Sequence, residues 1–434
     1  MSESTAPTGE RRIAIVDGLR TPFAKSGTIY RDLSTLDLGT AVVSELVERT
    51  PIGPHDIDQI VFGAVVPEIR GPNIAREIAM RASFPATVDA YSVSRACATS
   101  TQAIVSGARA ILTEDADIVI AGGADSLSKP PITYDETVVD ALMAARAAGD
   151  LASKVKAFAR IRPRDLAPKP PELADLSSGL TMGEAAEKMA RENGIDRESQ
   201  DAYSLASHIK AVEAWDKGVF DDEVMPFPIP PRYTDTVRTD GIPRRDTTLE
   251  ALAKLRPVFD RAHGTVTAGN SSPLTDGAAA VLLMEEATAR RLGMVPKAFI
   301  RAWAFTGLDP SWQMLMGPAF ATPKALDRAG ITMDDIDVVD MHEAFAAQML
   351  SNIQAFASDE WAQRHLDRPT AIGAIPEDRL NLYGGSISLG HPFAATGARQ
   401  VTTMANELVR RDAGTALVTQ CAAGGLGAAL ILER

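Results

Sequence analysis

The chain has 434 residues, 45% of them apolar and 23% charged, enough for two or three domains with their own cores. With only 5% aromatics and abundant small aliphatic residues, the composition suits packed α/β layers and excludes a disordered or fibrous chain. A net charge of −13 argues against nucleic acid or an anionic membrane as the main partner, but leaves room for an anionic small substrate held by a local basic patch.

Met1 to Arg12 is polar, without the apolar stretch of a secretory signal, so a soluble cytoplasmic protein is expected. Arg12-Ile13-Ala14-Ile15-Val16 predicts a buried first strand, and Arg20-Thr21-Pro22-Phe23 the loop that leaves it. Leu38, Ala41, Val42 and Leu46 recur at helical spacing behind Asp37. Gln59 to Gly63 reads as a second strand and Pro72 to Ala82 as a helix. Val88 to Val93 alternates as a strand and runs into a small-residue helix through Gln102, Ala103, Ile104, Gly107 and Ala108. Cys97 sits at that strand-to-helix turn, where the N–H groups of a helix start favour a thiolate. Taken alone, it would be read as a small buried apolar residue. Asp117 to Gly123 predicts a strand ending in glycines. Strands alternating with helices predict a parallel or mixed sheet covered on both faces.

From 126 to 253 the pattern breaks into proline-rich, charged sequence, which reads as an inserted loop or lid domain. One helix stands out in it, from a capping-box-like start at Asp196 to Ser199 through to Trp215. Lys154, Lys156, Arg160, Arg162, Arg164 and Lys169 form the densest basic cluster, either a solvated face or a contact for phosphate, lipid or a partner.

The α/β pattern resumes at Gly277 to Leu283. It continues as strand (Ala298 to Ala304), helix (Thr322 to Ala329), strand (Asp337 to Asp340), helix (Glu343 to Ile353), strand (Leu380 to Tyr383), helix (Phe393 to Arg410) and a strand from Ala416. The uncharged run Ala413 to Leu432 is long enough to span a bilayer, but its glycines and polar residues read as strand, turn, strand. Two passages look like copies. Strand, Cys97, helix, strand and Gly122-Gly123 parallels strand, His391, helix, strand and Gly424-Gly425. Two halves of one topology would bring Cys97 and His391 together on a pseudo-dyad. The halves so read are 1–125, completed by about 254–294 after the insertion at 126–253, and 295–434.

Four stretches carry chemistry: Cys97 in Ser94-Arg95-Ala96-Cys97-Ala98-Thr99-Ser100, then Met341-His342-Glu343-Ala344-Phe345-Ala346, Gly384-Gly385-Ser386-Ile387-Ser388-Leu389-Gly390-His391-Pro392, and Cys421-Ala422-Ala423-Gly424-Gly425. On these motifs, in this order from Ile13 to the C-terminus, the chain resembles the thiolase family. Within it, the chain is similar to the β-subunit branch of fatty-acid oxidation complexes, which places His where most members have Asn (here His342) and reads Cys-Ala-Ala-Gly-Gly at the last motif. The resemblance implies an α/β thiolase fold of two pseudo-symmetric βαβαβαββ halves in a five-layer αβαβα arrangement with an inserted loop domain. It further implies a ping-pong acyl transfer of β-oxidation, in which a 3-ketoacyl-CoA is cleaved through a Cys97 acyl-enzyme.

Each residue type suits such a step. A thiolate attacks a ketone and later leaves, which fits Cys97 as acyl carrier. An imidazole titrating near neutrality fits His391 as its base. By resemblance, Cys421 protonates the departing acetyl-CoA enolate and then activates the incoming coenzyme A thiol. His391 and a water held by His342 would polarise one oxyanion, and the N–H groups of Cys97 and Ala423 the other. Ala423 keeps the N–H of the usual glycine and fits unless φ must be positive. His342 can hold a water only in the right tautomer. The resemblance also maps coenzyme A onto Arg244, Ser272, Ala268, Met182, Met314, Ala344 and Phe345. Coenzyme A and acyl-CoA are then substrates, and no permanently bound cofactor or metal is expected. A homodimer is implied, as is a hetero-complex with an enoyl-CoA hydratase/3-hydroxyacyl-CoA dehydrogenase subunit.

Other patterns end on inspection. Two cysteines make neither a disulfide framework nor a four-ligand structural zinc site. His342-Glu343 opens like a zinc-protease helix, but position 346 is Ala. Gly425-Leu426-Gly427 lies too near the end for a dinucleotide-binding unit. His55, His208, His263 and His365 lie outside the motifs and are expected at the surface or in packing. The alternatives are a biosynthetic acetoacetyl-CoA thiolase, a ketosynthase-like use of Cys97, His342 and His391, and a non-catalytic lipid-binding member of the fold. The second cysteine, Cys421, argues against the ketosynthase reading.

Overall fold

The computed structural model describes residues 11–168 and 174–434. Met1 to Glu10, Lys169 of the basic cluster, and Pro170 and Pro171 lie outside the described residues. The chain divides into two compact units, one of 1–129 with 175–434 and one of 130–174.

In the large unit the elements run in chain order as β1 (Ile13–Arg20), α1 (Thr35–Glu48), β2 (Gln59–Gly63), α2 (Ile74–Arg81), β3 (Asp89–Val93), α3 (Thr99–Leu112), β4 (Ile118–Asp125), α4 (Met182–Glu192), α5 (Arg197–Asp216) and β5 (Thr275–Glu285). The second half follows as β6 (Ala298–Gly307), α6 (Gly317–Ala329), β7 (Val338–Met341), α7 (Ala346–Phe356), α8 (Thr396–Arg411), β8 (Thr415–Ala422) and β9 (Leu426–Glu433). Local chemistry sets several starts. At α1, Ser34 Oγ accepts the Asp37 N–H while the Asp37 carboxylate accepts the Ser34 N–H, a reciprocal cap. At α5, the Asp196 carboxylate accepts the Ser199 N–H, as its sequence leads one to expect.

The strands form one mixed sheet in the order β7-β8-β9-β6-β1-β5-β4-β2-β3. Each half repeats the other. β2 and β4 pair in parallel as β7 and β8 do, β4 and β5 antiparallel as β8 and β9 do, and β5 and β1 antiparallel as β9 and β6 do. The halves meet where β1 pairs antiparallel with β6 (Ile13 with Ile300, Ala14 with Phe299, Ile15 with Ala298), the relation a dyad between them requires.

Among the described residues the three largest apolar clusters fill the spaces between the layers. One lies between α1, α2 and the first half-sheet (Val42, Leu46, Ile78, Phe62, Leu282). The central one joins both half-sheets to α3 and α8 (Ile104, Ala108, Val119, Val401, Leu408, Val418). The third lies between the second half-sheet, α6 and α7 (Ala325, Leu326, Met349, Leu417, Ile431). Lying between the two half-sheets, α8 is buried on all sides from Thr396 to Leu408.

Three sequence expectations shift. Leu380 to Tyr383 is no strand; only Leu380 bridges β7, at Val339. Asn381 turns left-handed there (φ +44), and its side-chain amide takes the ladder's place by accepting from Met341 N–H and donating to Met341 O. The helix expected from Glu343 begins at Ala346, because Glu343 is held by other partners described below. Of the inserted stretch 126–253, only 130–174 forms a separate unit, while 175–253, including α4 and α5, belongs to the large one. The run Ala413 to Leu432 is strand, turn, strand, and among the described residues no helix is long and apolar enough to cross a membrane.

Candidate active site

Cys97 stands in the turn between β3 and α3. Ala96 before it is left-handed (φ +44), a conformation costly for a residue with a Cβ. Thr99 braces the turn: its Oγ1 accepts the Arg95 N–H at 2.8 Å and donates to the Ala96 carbonyl at 2.7 Å. No side chain caps α3, whose N-cap is Ala98; the Ala98 and Thr99 N–H groups donate to the Arg95 and Ala96 carbonyls. The backbone N–H groups of Ala423 and of Cys97 itself approach the sulfur. Ala423 is not among the left-handed residues, whereas Gly424 (φ +79) and Gly425 (φ +69) are, so alanine fits where most relatives are expected to carry glycine.

The thiol does not ionise as the helix-start argument led one to expect. Burial pushes it up to about 11, outweighing the two N–H groups that favour the thiolate, and the nearby Asp125 carboxyl raises it further.

His391 follows Gly390 and precedes Pro392, in a loop that the first half of the molecule clamps. Its N–H donates to Thr275 Oγ1 at 3.0 Å. The Asp125 carboxylate, at the end of β4, accepts the N–H groups of Ala394 (2.7 Å), Val66 (2.8 Å) and Val65 (3.0 Å). His391 Nδ1 lies 2.6 Å from Thr396 Oγ1, whose hydroxyl donates to the Pro392 carbonyl at 3.2 Å. With the Thr396 proton spent there, Nδ1 is assigned as the protonated nitrogen and Nε2 as the one with the lone pair. Burial, with help from the Arg399 charge, lowers the imidazole to about 3, so His391 is neutral and able to accept a proton.

His342 follows β7. Its N–H donates to the Thr419 carbonyl, and Nδ1 lies 2.8 Å from Ser386 Oγ. Its ring centroid is 4.2 Å from that of His391. Burial first, then the neighbouring His391 and Arg399, hold it well below the ordinary histidine range. The Nε2 atoms of both histidines are buried and have no hydrogen-bond partner. The Cys97 sulfur and one ring nitrogen from each histidine lie within 4.8 Å of one another. Cys421, on β8, is fully buried, and burial first, then the neighbouring Cys97 sulfur, raises its thiol well above the ordinary range. Gln420 beside it donates from Nε2 to the Cys97 carbonyl at 3.4 Å and accepts from Thr101.

Two close approaches bring the halves to this spot. Ala398 N–H donates to Ser100 Oγ at 2.8 Å, so the start of α8 abuts that of α3. A Cβ on Gly397 would fall 2.1 Å from Thr101 Oγ1.

The proposed coenzyme A contacts are placed unevenly. Segment 270–272 runs beside 344–346, with Ser272 N–H donating to Ala344 O and Ala346 N–H to Asn270 O, which puts Ser272 next to Ala344, while Ala268 is exposed just before it. Met314, Ala344, Phe345 and Cys421 share one buried apolar cluster, with the half-buried Met182 packed against it. Arg244 is exposed; its backbone N–H donates to His208 Nδ1 at 3.3 Å. His208 is buried, His365 stacks against Trp312 and Trp361, and His55 and His263 are exposed. In the small unit, Lys154 and Lys156 lie on the helix Leu151–Ala157 and Arg160, Arg162 and Arg164 in the turns after it, all exposed. The groove beside them also carries Asp135, Asp140 and Asp165.

Sequence reasoning missed Thr396 and Asp125 and quoted Ser386 without a role; these hold the two imidazoles and the His391 loop. It also quoted Glu343 without a role. Glu343 is buried and accepts from Ser207 Oγ (2.7 Å), Asn381 Nδ2 (2.8 Å), Tyr203 OH (3.0 Å) and Ile387 N–H (3.2 Å), tying α5 to the loops that bear both histidines.

Comparison with known proteins gives the same picture. Residues 13–287 match the family model described as the thiolase N-terminal domain, and residues 294–434 that of the thiolase C-terminal domain. Proteins named 3-ketoacyl-CoA thiolase from Yersinia pestis and Yersinia pseudotuberculosis are 54% identical over 422 residues, 97% of either chain. Among solved structures, the acetyl-CoA acetyltransferase of Bacillus anthracis (TM-score 0.84) and human mitochondrial 3-ketoacyl-CoA thiolase (TM-score 0.83) are each 31% identical and cover 98% of this chain and 99% of theirs.

Proposed function

The chain belongs to the thiolase family, and from that premise we propose how its own side chains divide the work of 3-ketoacyl-CoA thiolysis. The chain is an acyltransferase of fatty-acid degradation that cleaves 3-ketoacyl-CoA with coenzyme A, giving acetyl-CoA and an acyl-CoA two carbons shorter.

Cys97 and His391 start as a neutral thiol and a neutral imidazole. His391 Nε2 takes the thiol proton as the sulfur attacks the 3-keto carbon, so the thiolate exists only as the new bond forms. The tetrahedral oxyanion is received by the N–H groups of Cys97 and Ala423. Its collapse breaks the C2–C3 bond and leaves the acyl group on Cys97. The acetyl-CoA enolate departs with its oxygen held by the protonated His391 and by a water that His342 orients, and the Cys421 thiol protonates its carbon. The Cys421 thiolate then takes the proton of the incoming coenzyme A thiol, which attacks the acyl carbon and expels the Cys97 sulfur, to which His391 returns its proton. Ser272, Ala268, Met182, Met314, Ala344 and Phe345 line the approach of the pantetheine, and Arg244 meets the nucleotide end.

The observation that carries this reading is the meeting of the Cys97 sulfur with the ring nitrogens of His342 and His391 within 4.8 Å, at helix and strand ends from both halves. A thiolysis assay across acyl chain lengths tests it. Acetyl-CoA release that depends on Cys97 is expected, and turnover unaffected by Cys97→Ala would overturn it. The native state proposed is a cytoplasmic homodimer. A hydratase/dehydrogenase subunit is the proposed partner at the basic segment from Lys154 to Arg164. Charge reversal in that segment without change in complex formation would remove this last element.

A further inference from the structure

Cys97, His342 and His391 offer more than a proton relay. Two of the three ligand types that zinc prefers, thiolate and imidazole, converge here. His342 Nδ1 is engaged by Ser386 and His391 Nδ1 by Thr396, which leaves each Nε2 available and each ring fixed by an outer hydrogen bond, as metal-ligating histidines are. Both Nε2 atoms are buried without a partner, on residues only 0% and 3% exposed. The sulfur and the two ring nitrogens lie within 4.8 Å of one another. Tetrahedral zinc with bonds of about 2.3 Å to sulfur and 2.0 Å to nitrogen needs ligand separations of about 3.3–3.6 Å, so small side-chain movements close the set.

We propose that the site binds a borderline-soft divalent cation, zinc above all, through Cys97 Sγ, His342 Nε2 and His391 Nε2, leaving the fourth position to water or an added thiol. Binding exchanges the Cys97 S–H bond for a sulfur–metal bond and releases the proton to solvent; no electrons are transferred. The bound ion occupies nucleophile and base together, so it is a reversible inhibitor that a chelator removes and that acylation of Cys97 excludes. His342 makes the difference, because an amide in its place supplies no imidazole nitrogen. Hard cations such as magnesium, which favour oxygen ligands, are not held.

The inference rests on the ligand geometry and not on the thiolysis reading, and its test has its own readout. Cobalt(II) is titrated into the chelator-stripped full-length chain and followed by absorption, and zinc affinity is taken from competition with a chromophoric chelator. A sulfur-to-cobalt charge-transfer band with the visible bands of a tetrahedral ion is expected. The charge-transfer band should vanish in Cys97→Ser and in wild type alkylated at Cys97, and should persist in Cys421→Ser. His342→Asn and His342→Gln, checked for native circular dichroism, should each weaken zinc binding about 10–100-fold. An octahedral spectrum without the charge-transfer band, a band that follows Cys421, or zinc affinity indifferent to His342 would overturn the site. A chain that binds cobalt through Cys97 but cleaves no 3-ketoacyl-CoA would keep this inference and lose the proposed function, and the converse result would separate them equally well.

Discussion

Thr396 Oγ1 lies 2.6 Å from His391 Nδ1 and donates its hydroxyl to the Pro392 carbonyl at 3.2 Å, so one hydroxyl bears on which imidazole nitrogen carries the proton. A group that acts only by fixing a tautomer leaves a recognisable kinetic trace when it is removed.

Thr396→Val should therefore lower kcat about 10–100-fold with little change in KM, since the ring keeps its place but loses the lock on Nδ1–H. Thr396→Ser should restore most of the rate. Steady-state thiolysis of all three forms checks this, and a Ser variant as slow as Val would point to lost packing instead.

The two cysteines should separate by half-reaction. Cys97→Ala should show no acyl adduct by intact mass after exposure to a ready-made acyl-CoA. Cys421→Ala should still be acylated but should lose enolate chemistry, measured as exchange of the acetyl-CoA methyl protons. Equal loss in both assays would contradict the division of labour proposed above.

Gly397 stands where the starts of α3 and α8 touch. Its replacement by Ala puts a methyl group 2.1 Å from Thr101 Oγ1 and 2.8 Å from the Thr101 backbone nitrogen. Overpacking of this kind costs about 1–3 kcal/mol. Because the displacement falls between the two helix ends that carry the site, kcat should fall by more than the loss of folded protein accounts for. Denaturant titration and kinetics on one preparation check both parts.

Burial also makes the fold acid-sensitive through His208, which is only 5% exposed and is lowered from 6.5 to about 4. Between those values the unfolded chain binds a proton at this residue and the folded chain does not. The contribution is therefore complete above pH 6.5 and is lost as the pH falls toward 4, at most about 3 kcal/mol. His208→Gln, which keeps an acceptor for the Arg244 N–H, should flatten the fall in unfolding free energy between pH 6.5 and 4. An unchanged slope would remove His208 from the account.

Much of the site was legible in the sequence because its chemistry is written in short contiguous motifs. Cys97, His391 and Cys421 stand out by residue type, and the repeated order of strand, reactive residue, helix and strand announced the duplication that joins them. What sequence left out are relations created only by closure of the fold. Asp125 reaches the His391 loop from the opposite half, and Thr396 looks like one more small residue in a helix start. The acidity of Cys97 was misjudged for the same reason. A helix start is a local feature and favours the thiolate, but the burial that outweighs it comes from layers far away in the chain. Leu380 to Tyr383 looked like a strand because its residues suit one, yet the Asn381 side chain does the pairing that a backbone would.

The β1–β6 seam has one more implication. It joins unlike halves in the way two copies of a single half would dimerise, and a true twofold would set thiol against thiol or imidazole against imidazole across the axis. A nucleophile facing its base there is available only to a polypeptide whose duplicated parts have diverged. The reactive pair is thus a product of broken symmetry, and no homodimer of either half alone would reproduce it.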